Sequence, residues 1–159
     1  MIRIGIGYDI HRLAIGRPLI LGGVHIPYDK GLLAFSDGDV LCHAVTDALL
    51  GAAGLPNIGF FFPDTDPRYQ DADSLILLGE AMKHVAAAGY LPHQLDANII
   101  AERPKLQPYV ARMSQNLCDC LKLASNCVSI KPRTNEGIGP EGQEEAISAQ
   151  AVVTLREKA

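Results

Sequence analysis

An aspartate and a histidine two residues apart, Asp9 and His11, fall on one side of an extended chain, because side chains at i and i+2 share a face. Together they offer a carboxylate oxygen and an imidazole nitrogen, two of the donor types that zinc takes. Further on, Asp39, His43 and Asp47 recur every four residues, which on a helix makes a single stripe of acid, imidazole and acid. One aspartate with two histidines (Asp9, His11 and His43) would leave one tetrahedral position open to a substrate oxygen, the arrangement of a catalytic zinc. The same residue types also serve as plain hydrogen bonders. His43 capped by its acidic neighbours and His11 in a surface loop is an equally physical reading, and spacing alone leaves both standing.

Three further segments carry chemistry. Pro63-Asp64-Thr65-Asp66-Pro67 suits a metal- or hydroxyl-binding loop, although Asp and Pro also build ordinary turns. Lys105 follows Pro104 just ahead of a predicted helix, where a cation is badly placed for the helix dipole and well placed for an anion. In Lys131-Pro132-Arg133-Thr134-Asn135-Glu136-Gly137, two cations, a hydroxyl and a carboxylate follow a strand, and glycine allows close backbone approach. Magnesium with a diphosphate fits Glu136; a solvated turn is the alternative. His25, His84 and His93 read as hairpin, surface or loop residues.

The elements that must position these groups follow from periodicity. Ile2, Ile4 and Ile6 alternate with Arg3 and Gly5 as in a strand, which the chain leaves at Gly7, so Tyr8, Asp9 and His11 fall at a strand end. Leu19 to Leu21 and Val24 to Ile26 flank Gly22-Gly23 as a small hairpin. Ser36-Asp37-Gly38-Asp39 supplies a cap and first-turn acids for a helix that buries Val40, Leu41, Ala44, Val45, Ala48, Leu49 and Ala52 and ends near Gly54. A second helix runs from the Asp73-Ser74 cap to Gly89 with Leu75, Leu78, Met82 and Val85 inward, and a third from about Pro108 to Leu123. Strands are expected at Ala97 to Ala101, Val128 to Lys131 and Ile147 to Leu155. The order predicts an α/β (α+β) fold, a mixed β-sheet with helices packed on one face. Ile147, Ala149, Ala151 and Val153 are assigned to its open face, where other subunits would cover them.

Composition bounds the rest. At 159 residues, 48% of them hydrophobic, the chain has the size of a single domain over 1–159. A net charge of -4 lacks the basic surplus that nucleic acid demands. The apolar runs are far shorter than the roughly 20 residues that span a bilayer, so neither nucleic acid nor membrane is an expected partner. A strand is expected from the first residues, with no basic stretch ahead of an apolar signal core, and the expected location is the cytoplasm. Cys42, Cys118, Cys120 and Cys127 are too sparse for a disulfide scaffold and read as reduced.

Gly7-Tyr8-Asp9-Ile10-His11, Gly22-Gly23 with Ile26-Pro27, Ser36-Asp37-Gly38-Asp39-Val40 through His43, Thr46 to Gly51, Phe62-Pro63-Asp64-Thr65-Asp66, Pro104-Lys105 and Lys131 through Glu136 occur in order. With them the sequence resembles the 2-C-methyl-D-erythritol 2,4-cyclodiphosphate synthase family, from Arg3 to about Leu155. The resemblance implies a lyase of the non-mevalonate isoprenoid pathway, which turns a cytidine diphosphate substrate into a cyclic diphosphate and CMP. It implies a homotrimer with active sites at its three subunit interfaces, zinc on Asp9, His11 and His43, and magnesium (or manganese) on Glu136. Asp47 is implied as support for the zinc site, and Asp64 as part of a loop over the methylerythritol moiety. Ser36, Asp37, Asn57 and Gly59 are carried over as substrate-binding. Ala101, Lys105 and Leu106 fall where the family holds cytidine, with Pro132 and Arg133 beside them, and Thr134 falls where it contacts phosphate. Four positions depart from the family pattern: Phe35 for histidine, Asn57 for aspartate, Arg133 for threonine and Gln143 for arginine. Asn57 and Phe35 motivate the alternative of a trimeric small-molecule-binding homologue with lost or altered turnover.

Overall fold

In the computed structural model, which describes residues 1–158, strand β1 runs unbroken over Ile2–Ile15. It does not end at Gly7. Its inner side reads Gly5, Gly7, Asp9, His11, Leu13, and its outer side reads Ile2, Ile4, Ile6, Tyr8, Ile10. The hairpin β2 (Leu19–Leu21) and β3 (Val24–Ile26) turns through Gly22 and Gly23, both at positive φ as expected, and the short strand β4 (Lys30–Leu33) returns along β1. Helix α1 (Val40–Ala52) follows, then a single turn α2 (Ile58–Phe61), α3 (Ser74–Ala87), β5 (Tyr90–Ile100), α4 (Val110–Leu121), β6 (Val128–Arg133), the short α5 (Gly139–Gly142) and β7 (Ala146–Glu157). The sheet order is β4-β1-β7-β5-β6, with β5 and β6 parallel and the other pairs antiparallel. This is the expected mixed sheet, and α1, α3 and α4 cover one face of it.

The assignment of the two faces is reversed from expectation. Ile147, Ala149, Ala151, Val153 and Leu155 of β7 are buried under α1. The uncovered apolar face belongs chiefly to β1, where Ile2, Ile4 and Ile6 are 67%, 70% and 77% exposed, with Tyr8 beside them. The reason lies in the two glycines of β1. A Cβ on Gly5 would meet the carbonyl oxygen of Ala48, and one on Gly7 that of Ala44, so α1 lies flush against β1 only because both side chains are absent. The isoleucines therefore alternate outward. Because α1 lies so close, its first turn carries His43 over Asp9 and His11 on the same inner side.

Asp39 starts α1 as its N-cap, and its carboxylate is completely buried. It accepts from the Cys42 N–H at 3.0 Å, from the Gly22 N–H at 2.9 Å and from the Gly23 N–H at 2.8 Å, tying the hairpin to the helix. Burial pushes this carboxyl up, while the three N–H groups and the neighbouring Asp37 pull it in opposite senses. At the other end of α1, the Arg3 guanidinium donates to the Ala52 carbonyl at 2.6 Å, a cation where the helix dipole favours one. All four cysteines are free thiols. No helix among the described residues is long and apolar enough to cross a membrane.

Candidate metal centre and active-site cavity

Asp9, His11 and His43 converge. Asp9 Oδ2 lies 2.8 Å from His43 Nδ1 and 3.0 Å from His11 Nε2, and the two imidazole nitrogens lie 3.1 Å apart. Three ligands about 2.0–2.2 Å from a tetrahedral zinc stand about 3.3 Å from one another, so the triangle is close to one face of such a site. The donor set of one hard oxygen and two borderline nitrogens also fits a divalent ion. Without a cation, protons must do the joining. Burial works against the charge on Asp9, yet hydrogen bonds from His11 and His43 outweigh it and hold the carboxyl at about 2. Burial opposes protonation of His43 too, but the Asp9 carboxylate beside it wins and raises its pKa.

The triad lines a cavity of about 610 Å³, walled on the other side by the segment after α1. Ser36, Gly59 and Asp64 line this cavity, together with Phe35, Phe62 and Tyr69. The expected stripe of Asp39, His43 and Asp47 is not one functional face. Asp39 occupies the N-cap, where non-helical backbone turns its carboxylate back to the hairpin. Asp47 does line the cavity, but its carboxylate accepts from the Ile58 N–H at 2.8 Å, pinning the start of α2. Asn57 caps that same turn, its side-chain oxygen accepting from the Phe60 N–H at 3.2 Å. Asp37 bridges the entries to α1 and α3, accepting from the Asp39 and Ser74 N–H groups, both at 3.0 Å.

The remaining predicted residues form a second cluster at the C-terminal ends of β5 and β6, away from this cavity. In the sheet register Asp9 stands level with Ala149, Ile99 and Pro132. Three strand spacings, about 14 Å, therefore separate β1 from β6. Ala101 donates its N–H to the Arg133 carbonyl at 3.0 Å, and Ala101 and Leu106 are buried. Lys105, Arg133, Thr134 and Glu136 are exposed and Pro132 is half-buried. Glu136 has a left-handed backbone, and its N–H donates to Thr134 Oγ1 at 3.4 Å. Among the described residues Arg103, Lys105 and Arg133 make no ion pair, although Glu136 lies in the same cluster and the Glu102 carboxylate accepts from the Asn135 N–H at 3.2 Å. Sequence reading passed over Arg103, and it treated Ser74 only as a helix cap.

A candidate metal triad in a cavity, on the same mixed sheet as an exposed cationic strand end, is a combination suited to anionic, phosphate-bearing ligands. The chain matches the YgbB family over residues 2–156 and belongs to it. It is 54% identical over 154 residues to the 2-C-methyl-D-erythritol 2,4-cyclodiphosphate synthase of Salinibacter ruber, covering 97% of this chain and 98% of the relative. It is 53% identical to the synthase of the same name from Moorella thermoacetica, covering 98% of this chain and 96% of the relative. A solved 2C-methyl-D-erythritol-2,4-cyclodiphosphate synthase bound to CDP superposes with a TM-score of 0.89 at 43% identity, covering 97% of this chain and all of that one. The bifunctional IspDF from Campylobacter jejuni superposes with a TM-score of 0.95 at 39% identity; this chain covers 42% of that longer protein.

Proposed function

We propose that this chain converts 4-diphosphocytidyl-2-C-methyl-D-erythritol 2-phosphate into 2-C-methyl-D-erythritol 2,4-cyclodiphosphate and CMP, in the non-mevalonate isoprenoid pathway of the cytoplasm. The observation that carries the reading is the convergence of Asp9, His11 and His43 on the wall of a substrate-sized cavity, in a member of this family.

An oxygen of the substrate's 2-phosphate forms a bond to the β-phosphorus of its own diphosphate. The bond from that phosphorus to the bridging oxygen breaks, and CMP leaves with the electron pair, closing an eight-membered ring. No side-chain nucleophile is needed. The reacting groups are all anionic, so the protein's task is to fold the substrate back on itself and screen its charge. Asp9, His11 and His43 would hold zinc and Glu136 magnesium (or manganese), which when bound supply Lewis-acid polarisation of phosphate oxygens. Ser36, Asp37, Asn57, Gly59 and Asp64 hold the methylerythritol part, in a cavity that Phe62 and Tyr69 also line. Ala101, Lys105 and Leu106, with Pro132 and Arg133, hold the cytidine diphosphate, and Thr134 binds its phosphate. We further propose a homotrimer in which the bare Ile2, Ile4, Ile6 face of β1 is covered and the two clusters of neighbouring copies face each other.

The test is an assay of the purified chain with this substrate, reading CMP release and the phosphorus spectrum of the product. A cyclic diphosphate is expected. A linear phosphate product would make the chain a phosphohydrolase, and binding without CMP release a homologue that has lost turnover.

A further inference from the structure

The imidazole of His43 is held from behind by groups that the metal triad does not account for. Its Nε2 lies 2.9 Å from Ser74 Oγ and 3.1 Å from Ser36 Oγ. Ser74, the first residue of α3, is buried to 1% exposure. Its hydroxyl donates to Asp37 Oδ1, and its backbone N–H donates to Asp37 Oδ2 at 3.0 Å. A carboxylate only accepts, so the Ser74 proton points toward Asp37 and away from His43. What Ser74 turns toward the imidazole is a lone pair, and a nitrogen facing that lone pair at 2.9 Å must carry the proton. In the neutral ring this leaves Nδ1 bare, aimed at the point where Asp9 Oδ2 and His11 Nε2 meet.

We propose that Asp37 and Ser74 are positioning residues that fix His43 as an Nδ1 donor, by holding its Nε2–H through an oriented hydroxyl. The inference rests on the reading of Asp9, His11 and His43 as metal ligands. It gives Asp37, carried over above as substrate-binding, a second task that needs no substrate. His11 supplies an internal contrast: its Nε2 meets Asp9 and His43, but among the described residues its Nδ1 has no hydrogen-bond partner, so no such relay backs its ring. The relay also ties the entries of α1 and α3 to one imidazole, since Asp37 accepts from the Asp39 N–H at 3.0 Å as well.

The experiment is zinc competition between the full chain and a chromophoric chelator, with imidazole 1H–15N spectra of the zinc-loaded protein. Losing an outer partner of a metal-bound histidine costs about 10- to 100-fold in metal affinity, and Ser74→Ala should lose that much. Ser74→Thr, which keeps the hydroxyl, should recover most of it, and Asp37→Asn should weaken binding by about tenfold. The zinc-loaded wild-type chain should show a slowly exchanging Nε2–H on His43, absent in Ser74→Ala. Unchanged affinity in Ser74→Ala, or no recovery in Ser74→Thr, overturns the proposal while leaving the metal reading intact. If Ser74→Ala does not fold, Asp37→Asn and the wild-type spectrum decide, and a His43 bound through Nε2 overturns it. A wild-type chain that takes up no zinc overturns the relay and the metal reading together.

Discussion

The two clusters of candidate site residues are built in opposite ways. Around His43 the polar groups meet one another: the triad atoms touch, Ser74 and Asp37 back the ring, and α1 is pressed onto β1 through two glycines. Around Glu136 the side chains are exposed, three cations make no ion pair among the described residues, and the hydrogen bonds are mostly local turns. The first cluster brings its three donor atoms together within one chain, in a set suited to a borderline divalent ion. The second has the character of a surface waiting for an extended anionic ligand and a covering neighbour. Preorganisation is therefore concentrated where the metal is read to bind, and openness where the nucleotide is.

The sharpest way to break the contrast is His43→Ala. It should remove bound zinc and lower CMP release by about 10³-fold or more, since metal polarisation is worth several kcal/mol. Elemental analysis showing full zinc content would refute the ligand set. Glu136→Gln should instead spare zinc and lower turnover by about 100-fold, the scale for losing one charge-stabilising group. Normal CMP release by that variant at low magnesium would remove Glu136 from the account.

Glycines sharpen the contrast in stability. Gly7→Ala drives a methyl into the Ala44 carbonyl under α1, which should cost about 1–3 kcal/mol in urea unfolding and weaken zinc binding as well. Gly137→Ala meets nothing within 4 Å, and only its φ of +73° opposes it. That change should cost about 1 kcal/mol and leave zinc affinity alone. Equal zinc affinities in the two variants would show that the closeness of α1 to β1 does not set the triad.

The smallest expected effect is a pH dependence confined to the metal-free chain. Asp9 is depressed from 3.8 to about 2, so its contribution is present above pH 4 and lost as pH falls toward 2, amounting to about 2 kcal/mol at most. His43 is raised from 6.5, so its contribution is present below that value and lost as pH rises through its folded pKa. Chelator-treated protein should therefore lose urea stability at both ends, and Asp9→Asn should flatten both limbs. An unaltered profile in Asp9→Asn would show that the triad is not coupled in this way.

Much of this was legible in the sequence, for identifiable reasons. Asp39 and Asp73 cap α1 and α3 where local chemistry places them, and the Gly22-Gly23 hairpin forms as its turn residues demand. Asp9 and His11 share a face because alternation in a strand is a local property. The extent of β1 was not legible, because Gly7 reads locally as a break, whereas its missing side chain serves the helix above it. The same long-range contact decides which side of β7 is buried, and no local pattern in Ile147 to Leu155 contains it. Ser74 could be seen as a cap, but its meeting with His43 joins residues 31 apart in the chain.

The most direct test of the central claim, that the closed cluster of one copy works with the open cluster of another, is complementation. His43→Ala and Glu136→Gln chains, each inactive alone, would be co-expressed with separate tags and the mixed oligomers isolated. If sites form between copies in a closed ring of three, every mixed ring carries both intact clusters at one interface of its three, and CMP release should return to about a third of wild type. Activity no higher than that of the two parents would contradict the account and place both clusters of each site in a single chain.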